Sequence, residues 1–176
     1  MTTTDRSLTE PVTELDQRYS SPESASLTWE VAREHWAKAE LYWLSTVRPD
    51  GRPHVTPLIS LWWHGAAYVC TGPDERKAKN LAHNRHVVLT TGCNGLNDGV
   101  DLVIEGVAEP VTDGAELAEV AAGYEEKYGS GWHFDVRDGA FLGDGGRALV
   151  FRVAPVTGFG FVKGAYGQTR FRFGAR

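Results

Sequence analysis

The stretch Thr71–Leu89, TGPDERKAKNLAHNRHVVL, decides how this chain is read. Thr71 ends a run, Ala66–Thr71, with the apolar density of a strand, and Gly72-Pro73 stops it. Pro73-Asp74 then opens a helix expected over Glu75–Asn84, with Asp74 as its N-cap and Ala78, Leu81 and Ala82 facing inward. His86–Thr91 follows as a strand. The charge order in that helix is unusual. Arg76 and Lys77 stand in the first turn and Lys79 just beyond, where the macrodipole disfavours cations by roughly some tenths of a kcal/mol each. A bound phosphate or carboxylate reverses that cost, because backbone N–H groups and the cations then act on one anion. The competing reading is a solvated face on which Asp74 and Glu75 neutralise their neighbours.

Working outward, Thr28–Ala39 has a capping Thr28 and helical spacing at Val31, His35, Trp36 and Ala39. Leu41–Val47 reads as a strand, Arg48–Pro53 as a turn built on Pro49-Asp50-Gly51, and His54–Trp63 as the returning strand. Pro57 cannot donate to a ladder, so that strand belongs at an edge or beside a bulge. Trp62 and Trp63 must point to opposite faces. Val100–Val111 alternates as a half-buried strand. Asp113 with Glu116 resembles a capping box for a helix carrying Leu117, Val120, Ala121, Tyr124 and Tyr128 on one side. Ala148–Val156 is the last strand, before a tail, Thr157–Arg176, that contains no acidic residue. Six or so mostly antiparallel strands with short helices give a mainly β fold, a small β-barrel over residues 27–176. Residues 1–26, rich in Ser, Thr and acids, read as a flexible arm.

The 176 residues suit one domain, and 41% apolar with 23% charged residues is ordinary globular composition. A net charge of −5 argues against a general nucleic-acid or membrane-surface role, which needs a basic field. An anionic ligand must meet a local basic cluster. No apolar run approaches the roughly 18 residues of a membrane helix, and no leader-like segment opens the chain. Cys70 and Cys93 have neither zinc nor disulfide spacing, so the expected setting is the reducing cytoplasm. The six histidines show no metal grammar, so no metal is expected. Gly158 and Gly160 lack the third glycine and the βαβ frame of a dinucleotide fingerprint. In the tail, Lys163, Arg170 and Arg172 alternate with aromatic rings. That pattern fits a strand capping a cofactor, an edge strand on a partner subunit, or a single-strand nucleic-acid platform, which the acidic remainder of the chain opposes.

The order hairpin, Thr56-Pro57-Leu58 strand, third strand ending in Thr71-Gly72, then Asp74–Leu89, resembles the pyridoxamine 5′-phosphate oxidase-like flavin-binding split barrels, and within them the deazaflavin (coenzyme F420) oxidoreductases. The resemblance covers about residues 28–156. It implies a six-stranded antiparallel split barrel that homodimerises, with the cofactor at the subunit interface. On this resemblance Lys77 and Lys79 match phosphate-contacting positions, with Arg76 between the usual places. Thr56, Pro57 and Leu58 match the strand along the ring, and Thr71 the residue that closes the phosphate pocket. The oxidase's C-terminal arginine–histidine pairing has no counterpart, because the tail around Gln168–Phe173 contains no His. FMN and F420 both carry a ribityl phosphate and a tricyclic ring. The oligoglutamate tail of F420 needs further basic surface, which Lys163, Arg170 and Arg172 can supply. The implied reaction is hydride transfer between F420 and a small organic acceptor, with FMN flavoprotein chemistry or binding of flavin, deazaflavin or haem without turnover as alternatives. Tyr166 and His133 are the candidate proton donors, against solvent.

Overall fold

A computed structural model describes residues 10–174 of the chain. The expected hairpin forms between β2 (Tyr42–Val47) and β3 (Pro53–Leu58), following β1 (Val12–Leu15) and helix α1 (Trp29–Lys38). Its turn is closed by Arg48 N donating to Arg52 O at 2.9 Å, and Gly51 takes φ +83°, a conformation glycine adopts without strain. The strand does not run on to Trp63. Ser60 is fully buried and donates its hydroxyl to Tyr68 O at 2.9 Å, so the chain bends inward and β4 (Leu61–Trp63) pairs instead with β5 (Ala66–Thr71).

Helix α2 (Arg76–Leu81), β6 (His86–Thr91), β7 (Val100–Val111) and helix α3 (Gly114–Tyr128) come next, then β8 (Asp135–Arg137), β9 (Ala140–Gly143), β10 (Gly146–Val162) and β11 (Gly167–Arg172). The hydrogen-bonded path is β1-β11-β10-β7-β6-β2-β3, with β5 joined to the first half of β10. The path ends on β1 and on β3, so the barrel is split: an antiparallel sheet not closed by hydrogen bonds. Pro57 therefore sits on an edge strand, as its missing N–H requires.

Three expectations are corrected. Eleven strands form among the described residues where six or so were read. β10 extends to Val162, well past Val156, although Gly158 and Gly160 weaken strand propensity. Those glycines admit neighbours: a Cβ on Gly160 would lie 2.6 Å from Leu27 Cδ2. The arm is in part structured, because Val12–Leu15 pairs with β11 from Val12 opposite Arg172 to Leu15 opposite Thr169. Residues 1–9 of the arm lie outside the described residues.

The sheet has two cores. Trp36, Tyr42, Leu44, Val69, Leu89, Ile104 and Val153 fill the barrel, with Trp62 packed against them. On the other side of β4 and β5, Leu117, Val120 and Tyr124 of α3 pack on Tyr68, Phe141 and Val150, with Trp63 at their edge. β5 is thus covered on both faces, which explains its unbroken apolar run. Val31, expected on the buried face of α1, is exposed, and Ala32 and Trp36 are the buried residues. Each fully buried large side chain contributes roughly 1.5–3 kcal/mol. Among the described residues no helix is long and apolar enough to cross a membrane.

Candidate functional site

α2 is shorter than expected. It spans six residues, Glu75 and not Asp74 is its N-cap, and no side chain caps it. So short a helix gathers little dipole, and the meaning of its charge order must come from side chains. Asn80 fastens it: fully buried, its Nδ2 donates to Thr46 Oγ1 on β2 at 2.9 Å. Thr46 Oγ1 in turn lies 3.4 Å from His54 Nδ1 on the paired strand β3. Alternation puts Thr56 on the same side of β3 as His54. The β2–β3 hairpin therefore meets α2 through Thr46, with His54 and Thr56 on the paired strand and Arg48 close enough to act on His54.

Positive charge collects there. Arg48, Arg76 and Lys79 have no carboxylate within 4.0 Å among the described residues. His54 registers the field: burial holds its pKa below the ordinary histidine value, and the charges of Arg48, Lys77 and Arg76 lower it further. Three polar atoms in this neighbourhood, Asn80 Oδ1, Thr56 Oγ1 and Arg48 Nε, are shielded from solvent without a partner. Buried groups of this kind normally find one, so they are available to a ligand or an ordered water. The Lys77 side chain, 9% exposed, forms an ion pair with Glu75. The Glu75 carboxylate also accepts from Gly72 N at 2.7 Å and Thr71 Oγ1 at 3.1 Å. Burial alone would raise the Glu75 pKa, but the bonds from Lys77, Gly72 and Thr71 hold it below the usual carboxylate range.

Of the residues singled out in the sequence, Thr56, Pro57, Leu58, Thr71, Arg76, Lys77 and Lys79 fall on β3, β5 and α2 around this cluster. The tail cations do not join it within the chain. Leu149 of β10 pairs with Thr71, whereas Thr157 pairs with Arg172 and Phe159 with Arg170. From Leu149 to Thr157 is roughly 26 Å of strand. Arg172 ion-pairs with Glu14 at 3.0 Å, and Arg170 lies over the Phe159 ring. Lys163 binds the carbonyls of Cys93 and Gly95 and the Asp101 carboxylate at 3.0 Å. Tyr166 lies in the β10–β11 turn, where its carbonyl accepts from Ser21 N and Ser24 Oγ. His133 follows α3, bonded through Nδ1 to Glu125 at 2.7 Å, a contact that raises its pKa. Neither candidate donor is at the cluster. Sequence reading missed Arg48, His54 and Asn80, because strand pairing and helix docking bring them in.

β3 has a free second edge, and the outer face beside it is apolar. Trp43, Val55 and Val156 are about half exposed. A groove of about 430 Å³ runs over this face between Ser45, Val47, Pro53, Val88, Val107 and Val156.

Residues 28–158 match the family described as pyridoxamine 5′-phosphate oxidase. No curated protein matches the chain. Among solved structures, a heme binding protein from Mycobacterium smegmatis superposes with TM-score 0.63 at 18% identity, covering 78% of this chain and 55% of that one. The chain thus spans about half the length of that protein. An FAD binding protein from Mycobacterium smegmatis has TM-score 0.55 at 18% identity, covering 84% and 98%. A structure described as an F420 reductase has TM-score 0.51 at 22% identity, covering 71% and 94%. These likenesses concern the fold.

Proposed function

The chain belongs to the pyridoxamine 5′-phosphate oxidase family, and from that premise we propose that it is an oxidoreductase using a flavin-type cofactor, specifically the deazaflavin F420, on a small electron-poor acceptor. The observation that carries this reading is the cationic cluster of Arg48, Arg76 and Lys77 beside the orphaned buried atoms of Asn80, Thr56 and Arg48. These residues fit a ribityl phosphate: uncompensated guanidinium groups give fork-shaped donors, and charge-assisted hydrogen bonds to phosphate contribute about 1.5–3 kcal/mol each. The free edge of β3 at Thr56, Pro57 and Leu58 supplies backbone groups for the ring.

When bound, the cofactor supplies a hydride, two electrons and one proton, to the acceptor. The chain's own part is to grip the phosphate, orient the ring against β3 and keep water from its face. A second copy covering the apolar outer face at Trp43, Val55 and Val156 would complete that enclosure, and a homodimer is part of the proposal. Solvent supplies the second proton, since Tyr166 and His133 lie elsewhere.

That same placement favours a second reading, binding of a flavin, a deazaflavin or haem without turnover, and FMN is the alternative cofactor. Fluorescence titration with F420 and FMN, followed by incubation of the reduced cofactor with activated alkenes, tests both. Saturable F420 binding with acceptor-dependent oxidation of the reduced form supports the enzyme; binding without oxidation above background supports the second reading.

A further inference from the structure

Three donors at the turn from β5 into α2 are already engaged by a carboxylate of the chain itself. Glu75 takes the Thr71 hydroxyl at 3.1 Å, the Gly72 N–H at 2.7 Å and the Lys77 ammonium. Lys77, with its side chain 9% exposed, has little room to turn away, whereas the Glu75 side chain is 51% exposed. We propose that Glu75 is a specificity-determining residue, which makes this seat favour a singly charged phosphodiester over a doubly charged terminal phosphate. The inference rests on the flavin-type reading above.

The discrimination is electrostatic. Glu75 neutralises Lys77, so the attraction left for a ligand comes from Arg48 and Arg76. A terminal phosphate monoester, as in FMN, carries close to two negative charges at neutral pH, its second pKa being near 6. A phosphate esterified on both sides, as in F420, carries one and presents two free oxygens. Each ligand charge is repelled by the Glu75 carboxylate. One additional charge within several ångströms of it changes affinity by roughly tenfold in partly screened surroundings. Asp74, the other acid of this turn, is exposed and makes no ion pair among the described residues.

The experiment compares wild type with Glu75→Gln, which keeps the shape and an acceptor oxygen, and with Glu75→Ser as a second variant. Dissociation constants for riboflavin, FMN and F420 are measured by fluorescence at fixed salt, and melting curves confirm folding. Removing the charge is expected to tighten FMN by a factor roughly tenfold larger than that for F420, and to change riboflavin by less than about twofold. Equal changes for FMN and riboflavin, or for FMN and F420, in both variants would overturn the role of Glu75. If wild type binds none of the three, the flavin-type reading itself fails, a distinct result.

Discussion

Asn80 of α2 donates its side-chain amide to the Thr46 hydroxyl of β2 at 2.9 Å, with both residues almost wholly shielded from solvent. This bond ties the cationic segment after β5 to a hairpin some thirty residues earlier. Asn80→Ala leaves the Thr46 hydroxyl with only its long contacts to His54. It is expected to cost about 1–3 kcal/mol in urea unfolding and to weaken cofactor binding beyond that general loss.

His54 reports what fills the cluster. Burial and the charges of Arg48, Lys77 and Arg76 depress its pKa, so it titrates below the ordinary value of 6.5 in the free protein. An anion bound among those cations stabilises the imidazolium and moves the midpoint up. NMR titration of the imidazole with and without FMN checks the direction. An unmoved midpoint would place the anion elsewhere.

Lys127 gives a pH test of the second core. Its amine bonds the Tyr42 hydroxyl and Ser60 O, each at 2.9 Å, and burial pulls its pKa from 10.5 to about 8. Between those values the unfolded chain binds the proton and the folded one does not, so stability rises with pH across that window. Lys127→Met abolishes this component. Urea midpoints near pH 7 and near pH 10 should show wild type gaining on the variant as pH rises.

Within the chain the tail arginines make contacts inside the sheet. Arg172 pairs with Glu14 across β11 and β1, and Arg170 covers Phe159. Arg172→Ala is expected to change FMN affinity by less than about twofold and to cost at most about 1 kcal/mol, the usual worth of an exposed pair. A large loss of FMN affinity would bring the tail back into the site.

The hairpin, the edge-or-bulge placement of Pro57 and the long apolar face of α3 were legible, because each depends on local chemistry or a short period, whereas Thr71 and Lys77 were brought together only by the family resemblance. The link from Arg48 and His54 to Asn80 was hidden, since strand pairing and a buried amide create it. The Gly158–Gly160 segment fell in the tail beyond the last strand because propensity carries no information about Leu27, whose side chain fills the space a Cβ would need at Gly160. The pairing of Val12–Leu15 with β11 was invisible for the same reason: its partner lies at the other end of the chain.

The most direct test of the cationic cluster as a cofactor-phosphate site is the affinity of the Arg48→Ala, Arg76→Ala double variant for F420, with riboflavin as the phosphate-free control. Removing two charge-assisted hydrogen-bond donors together should weaken F420 by roughly a hundredfold or more, with riboflavin unchanged. Equal affinity of wild type and variant for F420 would contradict the assignment.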